Sequence, residues 1–145
     1  MNQFTIQAQR ALQLAIEVAE ECHHQYIGTE HILLGLVREG TAVAGKVLKA
    51  NNVTEDKIIE MIAKFISTDG KLSIVDPSGY TPSAKRLLEQ AMQEARESGS
   101  HLVGTEHLLL AMLKDGNCVA SRIISTLGAS AQKIYSQLNS AMGRD

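Results

Sequence analysis

The sequence Gly28-Thr29-Glu30-His31 occurs twice in this chain of 145 residues, the second time as Gly104-Thr105-Glu106-His107. Each copy opens a run of aliphatic residues that ends in a basic, an acidic and a glycine residue. The two copies lie 76 residues apart, and with this offset 18 of 63 positions are identical between residues 4–66 and 80–142. A repeat of this length is longer than the usual solenoid unit, so it predicts a duplicated small domain.

The composition excludes several classes of protein. Lys and Arg number 14 against 16 Asp and Glu, giving a net charge of −2, whereas a nucleic-acid-binding protein needs a basic face. No apolar run approaches the roughly 20 residues that span a bilayer, and the N-terminus lacks the apolar stretch of a signal peptide. Cys22 and Cys118 are not equivalent under the offset, which argues against a disulfide framework. We therefore expect a cytoplasmic protein without nucleic-acid or membrane partners.

Apolar residues recur at steps of three and four along most of the chain, and no segment shows convincing period-two alternation. This pattern predicts four helices in each repeat and no strands. The approximate predicted ranges are 5–23, 29–39, 41–50 and 54–66 in the first repeat, and 81–98, 105–115, 117–127 and 130–142 in the second. The helices that begin at Thr29 and Thr105 are apolar on most of their circumference, so we expect them to be central and mostly buried.

Helix periodicity fails between the repeats, where Asp69-Gly70 and Asp76-Pro77-Ser78-Gly79 are typical of turns. The predicted organisation of residues 1–145 is repeat 1 at 4–66, a linker at 67–79 and repeat 2 at 80–142. The expected fold is all-α, with eight helices formed by tandem duplication of a four-helix motif and related by pseudo-two-fold symmetry.

The motif at residues 28–40, with its near-copy at 104–116, resembles the N-terminal domains of the ClpC group of Hsp100/Clp AAA+ unfoldases, bacterial chaperones that feed a proteolytic partner. The resemblance covers nearly the whole chain, including the openings Phe4-Thr5 and Tyr80-Thr81-Pro82. It implies a domain that docks substrates and adaptor proteins for the AAA+ modules and the protease in protein quality control. Because no G-x-x-x-x-G-K-[ST] phosphate loop occurs in the sequence, we expect no nucleotide cofactor and no catalysis by this chain.

Glu30 and Glu106 are predicted to lie in the first turns of helices capped by Thr29 and Thr105. A purely structural role is sufficient for one such carboxylate, since an acid there complements the helix dipole by about 0.3–1 kcal/mol. The repeat alone does not decide between this role and a binding role, because duplication also copies structural residues.

Two further helix starts, at Thr5 and Thr81, favour a binding role. Unpaired N–H groups at a helix N-terminus, with a Thr hydroxyl beside them, bind anions. If Thr5 lay near Glu30 and Thr81 near Glu106, each half would hold an anion site beside a carboxylate, which suits a ligand bearing both phosphate and guanidinium groups. The resemblance implies this proximity: the related domains recognise phosphoarginine as a degradation mark, and their site matches Thr5, Glu30, Thr81 and Glu106.

Three neighbouring residues are candidates for an adaptor or peptide groove. Phe4 and Tyr80 precede the helix caps and either pack elsewhere or line a surface groove, and in similar domains this region contacts adaptors and cyclic-peptide antibiotics. Lys85, whose counterpart is Gln9, adds positive charge beside Thr81 or belongs to a solvated helix face.

Two other interpretations are weighed against docking. Adjacent Glu and His residues suggest a small hydrolase, but adjacent helical residues point about 100° apart, so His31 and His107 fit better as buried, backbone-bonded residues. Cys22-His23-His24 could hold a metal, but its counterpart Ser98-Gly99-Ser100 has no ligands, so we expect no metal. A stand-alone accessory subunit that binds a Clp protease core remains the alternative to an unfoldase domain.

Overall fold

A computed structural model describes residues 3–66 and 79–143, which contain eight α-helices and no strand. The helices are α1 (Ile6–Glu21), α2 (Thr29–Glu39), α3 (Val43–Ala50), α4 (Glu55–Ile66), α5 (Pro82–Glu97), α6 (Thr105–Lys114), α7 (Val119–Thr126) and α8 (Ala131–Ala141). The all-α prediction is confirmed. All of the predicted linker except Gly79 lies outside the described residues. No helix in the described ranges is long and apolar enough to cross a membrane.

The 76-residue offset of the sequence repeat also relates the helices. Each of α5 to α8 begins 76 residues after its counterpart among α1 to α4. No insertion inside either half therefore disturbs the register of the helix starts, which agrees with the predicted duplication. The limits of the two repeats, 4–66 and 80–142, stay a prediction.

Several helix ends lie where capping residues and left-handed residues in the sequence predicted them. The hydroxyls of Thr5 and Thr81 each accept a hydrogen bond of 3.0 Å from the backbone N–H three residues on, and so cap α1 and α5. Asn52 and Gly128 follow α3 and α7 with φ angles of 64° and 88°. Both residues adopt the left-handed conformation that Asn and Gly tolerate best, as the sequence predicted.

Two predicted helix starts were wrong by two residues. The prediction placed the third helix of each repeat at about Thr41 and Asn117, whereas α3 and α7 begin two residues later. Thr41 instead bonds back to the side chain of Glu39, and the Asn117 N–H donates to Asp115 Oδ1 at 3.2 Å. Short-range bonds of this kind compete with helix formation, so both residues belong to the preceding turn.

Helices α2 and α6 form the centre of the molecule, as their sequences predicted. Every residue from Thr29 to Leu36 is buried, and so is the run from His107 to Met112. Small residues allow the first repeat to pack closely, since Ala8, Ala11, Ala15 and Ala19 of α1 are all buried against α2. A Cβ atom at Gly35 would clash with the backbone carbonyl of Ala11, so α1 and α2 touch at the backbone level.

We predict that Gly35→Ala destabilises the domain. Ala is favoured over Gly in a helix by about 1 kcal/mol, but here its methyl group meets backbone atoms of α1 that cannot move aside as a side chain could. The expected loss is about 1–3 kcal/mol of unfolding free energy, measured by urea denaturation followed by circular dichroism.

Gly116→Ala is the control, because nothing lies within 4 Å of a Cβ atom at Gly116. That variant should be close to neutral. A Gly35→Ala protein as stable as the wild type would contradict the backbone contact between α1 and α2.

Candidate functional site

The segments that enter the helices cross between the two repeats. Phe4 forms an isolated parallel bridge with Val103, and Tyr80 forms the equivalent bridge with Ile27. The Thr5 N–H donates to the Val103 carbonyl at 2.9 Å, and the Thr81 N–H donates to the Ile27 carbonyl at 3.0 Å. Val103 and Ile27 directly precede the two Gly-Thr-Glu-His motifs, so each helix cap is joined to the motif of the other repeat.

This crossing corrects the pairing expected from the sequence. The prediction placed Thr5 near Glu30 and Thr81 near Glu106, within one repeat. The backbone bridges instead join the segment of Thr5 to that of Glu106, and the segment of Thr81 to that of Glu30. We call these pairs the Glu106 half-site (Thr5 and Glu106) and the Glu30 half-site (Thr81 and Glu30).

Each glutamate folds back over the start of its own helix. A Cβ atom at Gly28 would clash with Glu30 Oε1, and one at Gly104 would clash with Glu106 Oε1. Both glycines have ordinary extended backbones, so a residue with a Cβ atom would displace the carboxylate from this position rather than strain the backbone. The glycine of the motif therefore makes room for the acid two residues later.

The two carboxylates differ in burial. Glu30 is 3% exposed, whereas Glu106 is only partly buried. Burial raises the pKa of Glu30 to about 7, against the opposing effect of a hydrogen bond from its own backbone N–H. The Glu30 side chain is therefore protonated in a large fraction of molecules at neutral pH.

The threonines of the motif do not cap their own helices, which corrects a second expectation. Gly28 and Gly104 occupy the N-cap positions of α2 and α6. Thr29 Oγ1 instead accepts a hydrogen bond from Ala120 N–H at 3.1 Å, and Thr105 Oγ1 accepts one from Ala44 N–H at 3.3 Å. Helices α7 and α3 have no side-chain cap of their own, so each receives one from the other repeat.

The histidines of the motif bond to the backbone, as predicted. The N–H of Gly28 donates to His31 Nδ1 and that of Gly104 donates to His107 Nδ1, both at 2.9 Å. Since its Nδ1 accepts, His31 carries its proton on Nε2, which lies 2.8 Å from His24 Nδ1. Burial, helped by His24, lowers the pKa of His31 to about 3, so the ring is neutral. A ring with both nitrogens engaged in this way is structural, and the arrangement gives no support to a Glu–His hydrolase.

A cluster of three aromatic rings lies beside the Glu30 half-site and was missed by the sequence reasoning. The rings of His24 and Tyr26 stack with their centroids 5.1 Å apart and an interplanar angle of 8°, and the His31 ring contacts both. The counterparts of His24 and Tyr26 in the second repeat are Ser100 and Leu102. The difference between the repeats at these two positions was the signal available in the sequence.

The three candidate groove residues have different environments. Phe4 is 4% exposed and packs in the hydrophobic core, so it does not line a surface groove. Tyr80 is partly buried, and Lys85 is exposed on the first turn of α5. Lys85 follows Thr81 by four residues, and the crossing joins the segment of Thr81 to that of Glu30. Within the described residues, no group of three potential metal ligands is found.

The comparison with known families agrees with this architecture. The model of the Clp repeat (R) N-terminal domain matches residues 3–127 and, in a second match, residues 79–145. The chain belongs to this family. It is 43% identical over 142 residues to the "Negative regulator of genetic competence ClpC/MecB" of Bacillus subtilis, and 42% identical to the "ATP-dependent Clp protease ATP-binding subunit ClpC" of Staphylococcus aureus. The match covers 98% of this chain and 17% of each relative, so the chain spans about a sixth of the length of these proteins.

Solved structures of other Clp and Hsp100 N-domains share the fold. The N-terminal domain of ClpD from Arabidopsis thaliana aligns with a TM-score of 0.79 at 22% identity, covering 98% of this chain and 96% of that one. The Hsp104 N-terminal domain of Candida albicans aligns with a TM-score of 0.76 at 17% identity, covering 99% and 93%. These likenesses concern the fold of the Clp N-domain alone.

We predict that Thr29→Val weakens the contact between the repeats. Val has nearly the same shape as Thr but cannot accept the hydrogen bond from the buried N–H of Ala120. The expected cost is about 1–2 kcal/mol of unfolding free energy. Thr29→Ser keeps the hydroxyl and should lose less, whereas equal losses for Val and Ser would show that the hydrogen bond is not the stabilising element.

The buried Glu30 carboxyl predicts a pH-dependent stability. Its pKa rises from 4.5 to about 7 on folding, so its contribution is fully present below pH 4.5 and is lost as the pH rises through 7. Glu30→Gln cannot ionise and should therefore gain about 2–3 kcal/mol relative to the wild type between pH 5 and pH 8. Urea denaturation of both proteins at the two pH values measures this, and a constant difference between them would contradict the burial of an ionisable Glu30.

Proposed function

We propose that this Clp N-domain docks proteins for a ClpC-type unfoldase, and that it recognises substrates marked with phosphoarginine. The observation that carries the proposal is the crossed arrangement of the half-sites, since each joins a capped helix N-terminus to a motif carboxylate. A helix N-terminus favours a phosphate, and a carboxylate favours a guanidinium group. The two groups of one phosphoarginine side chain therefore find opposite partners in each half-site.

The chemistry of the two glutamates supports a binding role beyond helix capping. Glu30 carries an ionisable carboxyl at a buried position. A residue that only stabilised the fold would not need an ionisable group there. A guanidinium group that binds there would favour the ionised form and offset part of the cost of burying the charge.

We further propose that adaptor proteins dock close to the Glu106 half-site. Ile6 is 81% exposed and Leu102 is 44% exposed, and each lies within two residues of the bridge between Phe4 and Val103. Exposed aliphatic residues beside a polar site are a common feature of protein interaction surfaces. In the full-length protein, such docking would deliver substrates to the AAA+ modules and their protease partner.

A stand-alone accessory subunit that binds a Clp protease core is the alternative function. The match covers 98% of this chain but only 17% of each relative. This coverage is compatible with an unfoldase domain and with a stand-alone subunit. A reading frame that continues past Asp145 into nucleotide-binding motifs would remove this alternative. A chain that co-purifies with a protease core in the absence of AAA+ modules would favour it.

The proposed function predicts how phosphoarginine binding responds to mutation. Glu30→Ala and Glu106→Ala should each leave one working half-site, and the double variant should lose binding. Because charge-assisted hydrogen bonds contribute about 1.5–3 kcal/mol, each loss should weaken its half-site roughly ten- to a hundredfold. Calorimetric titration of free phosphoarginine measures this, with arginine and phosphoserine as controls that each satisfy half of the site. Unchanged affinity in a folded double variant would remove both glutamates from the site.

The crossed pairing can be tested separately, by combining Thr5→Ala with a substitution of either glutamate. Thr5→Ala combined with Glu106→Ala damages one half-site twice and should leave the other intact. Thr5→Ala combined with Glu30→Ala should impair both half-sites. The opposite result would mean that each half-site is built within one repeat, and circular dichroism checks that each variant is folded.

A further inference from the structure

In the first repeat the stacked rings of His24 and Tyr26 both contact the ring of His31, which directly follows Glu30, whereas the second repeat has Ser100 and Leu102 at the same positions. The glycine, the backbone-bonded histidine and the crossed bridge are the same in both. Yet Glu30 is buried while Glu106 is partly accessible. The repeat that has the His24–Tyr26 ring pair is therefore also the repeat whose motif glutamate is buried.

A chain of contacts fixes the Tyr26 ring in place. The Gly28 N–H holds the His31 ring, His31 Nε2 bonds to His24 Nδ1, and the His24 ring stacks on Tyr26. Burial raises the pKa of Tyr26 to about 12, and the negative charge of Glu30 adds to this rise. The Tyr26 ring also contacts the His31 ring, with the two centroids 5.4 Å apart, and His31 is the residue after Glu30.

The other repeat is more open at the equivalent place. Ser100 and Val103 help to line a small surface pocket with Ala95 and Arg96. Ser100 corresponds to His24, so the pocket lies where the first repeat has its imidazole ring. Leu102, the counterpart of Tyr26, is 44% exposed.

We propose that Tyr26, held by His24, is a cover over the Glu30 half-site, so that phosphoarginine fills the Glu106 half-site first. This inference rests on the proposed function and adds an order of filling to it. A cover that is open about one tenth of the time lowers the apparent affinity of the site beneath it about tenfold. Charge alone predicts the reverse order, because Lys85 follows Thr81 by four residues, whereas the counterpart of Lys85 after Thr5 is the uncharged Gln9. The two explanations therefore make opposite predictions.

Single-glutamate variants isolate the half-sites for calorimetric titration with free phosphoarginine. Glu30→Ala reports the Glu106 half-site, and Glu106→Ala reports the Glu30 half-site. We expect the Glu30 half-site to bind about tenfold more weakly. In the Glu106→Ala background, Tyr26→Leu should recover most of that difference, whereas Tyr26→Phe keeps the ring and should not.

The reciprocal change tests the cover without altering the first repeat. Introducing Ser100→His and Leu102→Tyr into the Glu30→Ala background should weaken the Glu106 half-site severalfold. The carboxyl resonance of Glu30, followed by carbon NMR across pH in Tyr26→Leu, gives a readout that is independent of the ligand. Exposure should lower the pKa of Glu30 towards its ordinary value, and a general loss of packing is checked by the Tyr26→Phe protein.

Failure of the inference and failure of the proposed function can be told apart. If no variant and no wild-type protein binds phosphoarginine, the proposed function is overturned, and the order of filling with it. If the wild type binds but the two half-sites have equal affinity, or if Tyr26→Leu leaves both the affinity and the Glu30 titration unchanged, only the cover is overturned. Tighter binding at the Glu30 half-site would favour the charge of Lys85 over the cover.

Discussion

The two repeats of this domain depend on each other for buried hydrogen bonds. Thr29 caps α7 and Thr105 caps α3, so each repeat supplies an acceptor to a buried N–H group of the other. The bridges of Phe4 with Val103 and of Tyr80 with Ile27 cross in the same way. A buried N–H without a partner costs about 1–3 kcal/mol, so removing either acceptor while the repeats stay packed destabilises the domain. The crossing therefore ties the fold and both half-sites to one interface between the repeats.

Much of the fold could be predicted from the sequence because its signals are local. Signals between residues close in the chain account for the caps at Thr5 and Thr81, the left-handed conformation of Asn52 and the apolar circumference of α2. The role of Thr29 could not be predicted in this way. Its hydroxyl looks like a local cap in the sequence, whereas its partner, Ala120, is 91 residues away. The same limit explains the reversed pairing of the half-sites, since only the tertiary structure shows that the entering segments cross.

Buried charge was the other property that the helical pattern could not reveal. Glu94 is fully buried on α5, where the first repeat has Val18, and its carboxylate lies 2.7 Å from Lys114 Nζ and 2.8 Å from Gln90 Nε2. A glutamate at a core position of an apolar stripe looks like an interruption of the stripe. Its burial depends on a lysine from α6 that neutralises it. Glu30 is a similar case, because its position in the first turn is evident from sequence but its burial is not.

Duplication explains why the two half-sites share their backbone and differ in their surroundings. The threonine and histidine of each motif make contacts that both repeats need, namely the cap across the interface and the bond from the glycine N–H. The glycine leaves room for the carboxylate that folds back over it. Residues 24 and 26 make none of these three contacts, and the second repeat has Ser100 and Leu102 in their place. Changes at these positions can therefore alter access to one glutamate without disturbing the interface that positions it. The proposed cover would give this duplicated domain one strong and one weak site for the same ligand at one interface between the repeats.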